Sequence, residues 1–152
     1  MELETIREIM NRELSAEQVA ILSQLIEAAA THSISGISVV VTEVDLDAYV
    51  GDFALLIHKL MDMENMRVLF AIGRMGNRIQ LVARSRAPEV DVSVICASFG
   101  GGGHAYAASA SIKDRTISQV KDELFALLYS HINPQMVVRK FMSSPVVRIQ
   151  AG

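Results

Sequence analysis

The chain has 152 residues, 51% hydrophobic and 20% charged, which is enough apolar matter for one cored domain and too much for a disordered chain. A formal net charge of −3 excludes a protein that coats nucleic acid through a basic surface, so any nucleic acid must be held locally by a few residues. One cysteine, Cys96, excludes an intrachain disulfide, no apolar run reaches the roughly 18 residues of a membrane span, and the acidic N-terminus is unlike a signal sequence; a cytoplasmic domain with no membrane partner is the expectation.

Residues 2–30 read as helix in two pieces, with Ile6, Ile9 and Met10 on one stripe and Val19, Leu22, Ile26 and Ala29 on another. Between them, Ser15 and Gln18 have capping-box spacing. Ser35-Gly36 punctuates the chain, and the β-branched run 37–44 predicts a strand buried on both faces. Asp45, Asp47 and Asp52 follow. They suit either a hard cation or a helix cap, and the cap is favoured because no further ligand cluster lies nearby. The helix expected over 48–62 buries Val50, Phe53, Ala54, Ile57 and Met61, with His58 making a local contact beside Asp62.

Residues 67–74 and 78–85 are β-rich and separated by Met75-Gly76-Asn77, a hairpin signal. The second strand ends in Arg84-Ser85-Arg86, which is either surface decoration or a set of forked donors suited to phosphate. After Ala87-Pro88, Asp91 is placed to cap a short helix whose buried positions are Val92, Ile95, Cys96 and Phe99, so Cys96 reads as a core thiol. Small alternating residues predict a strand over 107–113. Thr116 then caps a helix to about Ile132, with Val120, Leu124, Leu127 and Leu128 inward and His131 in the last turn. Asn133-Pro134 restarts a shorter helix.

Gly100-Gly101-Gly102-Gly103-His104 interrupts this regular pattern. Glycine loses more backbone freedom on folding than any other residue, so four in a row demand a reason. One reason is an anion cradle, in which bare amides approach a ligand and His104 adds a side-chain partner. The run ends the preceding helix, so a phosphate there would meet the unfavourable pole of the helix dipole and would need the glycine amides and added cations.

Arg84-Ser85-Arg86, Val90-Asp91-Val92, the run from Phe99 to His104 and Ala107-Ala108-Ser109-Ala110 together resemble the DHH-associated C-terminal domain of the DHH phosphoesterase superfamily. The resemblance spans residues 36–132. Two departures stand out: Ser109 replaces the glycine of an Ala-Ala-Gly-Ala tail, and Val82-Ala83-Arg84-Ser85 replaces Ser-Leu-Arg-Ser. Phe141-Met142-Ser143-Ser144-Pro145-Val146 is similar to the opening of a CBS domain. The branch implied is the CBS-containing tRNA nucleotidyltransferase or poly(A) polymerase family.

The resemblance implies an α/β fold, a single domain with a central mixed β-sheet flanked by helices and preceded by an N-terminal helical connector. Residues 1–35 would be that connector from a missing DHH half, 36–133 the substrate-binding domain, and 134–152 a linker with the truncated start of a CBS domain. It also implies that Arg84 and Ser85 grip phosphate while Gly101, Gly102, Gly103 and His104 contact the phosphodiester or terminal nucleotide. Tyr106 either stacks on a base or packs. No catalytic or metal-binding residue is expected in this chain, and no cofactor; manganese or magnesium belongs to the DHH and nucleotidyltransferase domains. The implied partners are an RNA 3′ end, tRNA or nucleotide, together with the DHH half and CBS modules of the same parent, and a homodimer stays open. The competing expectation is a structural or dimerising spacer whose glycine loop binds nothing.

Overall fold

The computed structural model describes residues 15–46 and 52–132. The first helical piece, Asp47, Val50, Asn133-Pro134 and the tail with its CBS-like opening lie outside these residues. The elements are α1 (Ala16–Ala28), β1 (Ala30–Ile34), β2 (Ile37–Leu46), α2 (Phe53–Met63), β3 (Val68–Met75), β4 (Arg78–Ser85), α3 (Val92–Ala97), β5 (Gly102–His104), β6 (Ala107–Lys113) and α4 (Ile117–His131). They form one six-stranded mixed sheet in the order β1-β2-β3-β4-β6-β5, in which only β2 and β3 run parallel.

Helices cover both faces, and strand alternation sorts the core into two layers. On one face α1 and α2 bury Leu22, Leu25, Phe53, Leu56 and Leu60 against Val40, Leu69, Ala71 and Val82. On the other, α3 and α4 bury Val92, Ile95, Leu124 and Leu128 against Phe70, Leu81, Ala83 and Ala110. β2 is buried on both faces from Val39 to Thr42, as its β-branched run predicts, and the Thr42 hydroxyl is satisfied by donating to the Leu25 carbonyl at 2.6 Å.

Ser15 caps α1 through a complete capping box with Gln18, and Thr116 caps α4 in the same way with Gln119. Four expectations need correction. The first helix stops at Ala28, and residues 30–34 form a strand that pairs with β2 through a two-residue turn in which both Ser35 and Gly36 have positive φ. The buried stripe of α2 is Phe53, Leu56, Ile57, Leu60 and Met61, with Ala54 exposed. Asp52 occupies the N-cap of α2 without capping it, and its carboxylate instead accepts from the Gln18 amide at 3.0 Å. Finally, the end of the glycine run is a strand, β5, at the sheet edge.

Candidate nucleotide-binding row

The four glycines do three different jobs. Gly100 has φ +88 and terminates α3: its amide donates to Ala97 O and that of Gly101 to Cys96 O, the paired bonds of a Schellman cap. These bonds satisfy carbonyls that would otherwise present a negative pole, and they also commit two amides of the expected cradle. Gly101 and Gly103 are required by close approach to β6. A Cβ on Gly101 would lie 2.1 Å from Ser109 O, and one on Gly103 would lie 2.6 Å from Ala107 O. Gly102 differs from both, because a Cβ there would meet nothing within 4 Å and its φ makes no demand for glycine. Gly102 faces open space.

Register brings the charged residues together. Arg84 pairs with Ala107 and Ala107 pairs with His104, so their side chains share one cross-strand row on the α2 face of the sheet. The strand spacing puts the Arg84 and His104 Cα atoms about 10 Å apart, with only the Ala107 methyl between them. The adjoining row holds Val82, Ser109 and Gly102. Arg84 is half-buried and forms no ion pair among the described residues, and His104 is exposed. Here a guanidinium with no carboxylate partner among the described residues, an imidazole and an open stretch of backbone lie on adjoining rows of one sheet face. That combination can hold an anion.

Ser85 does not join them. It is buried on the opposite face of β4, where its hydroxyl donates to Ala87 O at 3.0 Å and accepts from the Ala87 amide at 3.1 Å, closing a tight turn around Arg86. Arg86 in turn pairs with Asp62, whose other oxygen lies 3.5 Å from His58 Nε2. Tyr106 is 61% exposed and stacks nearly parallel on His104, with ring centroids 5.5 Å apart. The hairpin tip that carries it is fastened at both carbonyls, Ala105 O by the Val92 amide and Tyr106 O by the Ser85 amide, each at 3.0 Å.

Sequence reading missed Ser109 as a neighbour of the open glycine, although its departure from the Ala-Ala-Gly-Ala pattern was the available signal. It also missed Asp62 as the partner of Arg86, a pairing 24 residues apart that only the fold reveals. Asp91 caps α3 through Ser93, whose hydroxyl and amide hold its carboxyl below the usual value. Cys96 is buried in the core, and desolvation pushes its thiol up to about 12, which keeps it protonated and inert. No three His, Cys, Asp or Glu side chains among the described residues are grouped to hold a metal ion. No helix among the described residues is long and apolar enough to cross a membrane.

The profile of the DHHA1 domain matches residues 36–133. Two relatives, both A-adding tRNA nucleotidyltransferases, match nearly the whole chain. The protein of Geobacter sulfurreducens is 42% identical over 97% of this chain, and that of Aquifex aeolicus is 24% identical over 94%. The chain spans 17% of the length of each. Among solved structures, an exopolyphosphatase-related protein from Bacteroides fragilis superposes with a TM-score of 0.63 at 14% identity, covering 87% of this chain and 39% of that one. The C-Ala domain of Aquifex aeolicus alanyl-tRNA synthetase superposes with a TM-score of 0.52 at 19% identity, covering 66% of this chain and 98% of that domain. At these identities the two structures share the fold.

Proposed function

The chain belongs to the DHHA1 domain family, and on that premise we propose that it holds the phosphate of a nucleotide or RNA end through Arg84, His104 and the open backbone at Gly102. The observation that supports this most is the shared row, in which Arg84 and His104 flank Ala107 beside the one glycine of the run that neither packing nor a positive φ requires. Arg84 supplies a forked, permanently charged donor for two phosphate oxygens. Its half-buried position makes that charge act through a lower effective dielectric than at an open surface. His104 bonds a third oxygen, and the missing Cβ at Gly102 lets the phosphate approach the main chain. Gly101, Gly103 and Ser85 act as scaffolding that sets this geometry. Tyr106 offers a platform on which the adjoining base stacks.

In this reading the domain binds and positions while another part of a longer parent performs the chemistry. The two tRNA nucleotidyltransferase relatives support a parent acting on tRNA. The cytoplasmic location, the metal-bearing DHH half and the CBS modules are part of this proposal and rest on the sequence resemblance alone.

The test is titration of the 152-residue chain with a short oligoribonucleotide, followed by amide chemical shifts. Gly102, His104 and the Arg84 side chain should move together. Silence of all three at millimolar oligonucleotide would overturn the proposal in favour of a structural spacer. Added manganese should produce no cleavage of the oligonucleotide, and turnover by the purified chain would contradict a purely binding role.

A further inference from the structure

On the far side of the hairpin tip from β5 lies a second feature that the phosphate row does not use. A pocket of about 330 Å³ opens between the turn after β4 and the tip of the β5–β6 hairpin, lined by Ser85 to Pro88, Val90, Ala105 and Tyr106. We infer that this pocket receives the base of the nucleotide whose phosphate lies on the Arg84–His104 row. The inference rests on the phosphate reading above and adds the second half of the ligand.

The pocket is held in shape before any ligand arrives. The Ser85 hydroxyl fixes the turn through both polar atoms of Ala87, and the Val90 amide donates to Ala87 O at 3.0 Å. The amides of Val92 and Ser85 hold the opposite wall at Ala105 and Tyr106. Ala87 and Val90 are each 3% exposed and give it apolar lining. Arg86 is anchored by Asp62, which places a planar cation at the rim. An apolar slot with an aromatic residue and a fixed guanidinium suits a flat, polarisable ring. Its volume sits at the lower end of the roughly 300–1,000 Å³ of small-molecule sites, which suits one base rather than a dinucleotide.

Tyr106 connects the two halves. Its ring stacks on His104, a member of the phosphate row, and the same residue lines the pocket. The amides of Ser85, Arg86, Ala87 and Val90 are all already engaged, and Pro88 has none. Those four amides are therefore not free to read a base edge. The base is held by stacking, with little discrimination among the four.

The test compares adenosine 5′-monophosphate with ribose 5-phosphate on the intact 152-residue chain, using methyl-labelled Ala87, Ala105 and Val90. The monophosphate should bind about 5- to 100-fold more tightly than ribose 5-phosphate and show nuclear Overhauser contacts from its base protons to those methyls. Tyr106→Ala should bring its affinity down toward that of ribose 5-phosphate, while Tyr106→Phe retains it. Uridine and cytidine monophosphates should bind within about tenfold of the adenosine compound. Equal affinity for the two probes, with no base-to-methyl contacts, overturns the base pocket and leaves the phosphate row standing. Base-to-methyl contacts with no response at Arg84, Gly102 or His104 to ribose 5-phosphate overturn the phosphate row and support the pocket. No response to either probe at millimolar concentration overturns both.

Discussion

Both ends of the sheet carry cations and use them differently. Where β2 and β3 end and α4 begins, a hollow of about 950 Å³ is bordered by Arg74, Arg115 and Lys121. Each of these cations already has a carboxylate: Arg74 pairs with Asp45 at 2.8 Å, Lys121 with Glu43 at 2.8 Å, and Arg115 with Glu123. The first amides of α4 are served by the Thr116–Gln119 capping box. At the other end the spaces are smaller, yet Arg84 has no carboxylate partner among the described residues and Gly102 faces open space. Volume alone would choose the first end. Around the hollow the charge is spent, because a cation bonded to a neighbour must give up that bond before it can hold a ligand, whereas Arg84 is free of that cost and shares its row with His104.

The strongest way to break this comparison is to give the glycines side chains. Gly101→Ala places a methyl 2.1 Å from Ser109 O, a backbone atom that cannot swing aside, so β5 must separate from β6. A loss of about 2–4 kcal/mol is expected in denaturant unfolding. Gly102→Ala meets nothing within 4 Å and should change stability by no more than about 0.5 kcal/mol, while weakening nucleotide binding. Equal destabilisation by both would show that Gly102 is a packing residue and would remove it from the site.

The arginines give the next largest contrast. Arg84→Ala should weaken binding of a nucleoside monophosphate by about 10- to 100-fold in calorimetric titration, the scale of a lost charge-assisted hydrogen bond to phosphate. Arg74→Ala should leave affinity unchanged and cost no more than about 1 kcal/mol of stability, because its pair with Asp45 is exposed on both sides. A larger effect from Arg74 would move the site to the wrong end of the sheet.

Much of this fold was legible because local chemistry and packing agree. The run 37–44 is apolar enough to require burial on both faces, and Gly76, at φ +68, marks a hairpin that its flanking strands also demand. The strand Ala30–Ile34 was hidden because its Ala-Thr-His-Ser lacks the apolar run or alternation that signals a strand, and it is held by pairing with β2 and by the half-buried His32 ring against Phe125. The glycine run was recognised as exceptional, yet its division of labour was not readable. Gly101 and Gly102 are identical in sequence, and only the position of β6 makes one crowded and the other open. Ser85 misled for a similar reason: it adjoins Arg84 in sequence, and strand alternation puts the two on opposite faces.

The two ends should also part under acid, though more gently. The cap of α4 is the hydroxyl of Thr116, which does not titrate, whereas the cap of α3 is the carboxylate of Asp91. Hydrogen bonding from Ser93 lowers the native pKa of Asp91, so its contribution is fully present above the ordinary aspartate value of about 3.9 and is lost as pH falls through the lowered native value. α3 also supplies the Val92 amide that holds the hairpin tip through Ala105 O. Amide exchange at Val92 should therefore quicken relative to Val120 as pH is taken below about 4, after correction for intrinsic rates. Asp91→Asn keeps a capping oxygen without the titration and should flatten this dependence, while Asp91→Ala should cost about 1 kcal/mol at neutral pH. Parallel acceleration at Val92 and Val120 would mean that acid loosens the sheet as a whole, and that the cap of α3 does not govern the end where Arg84 and His104 meet.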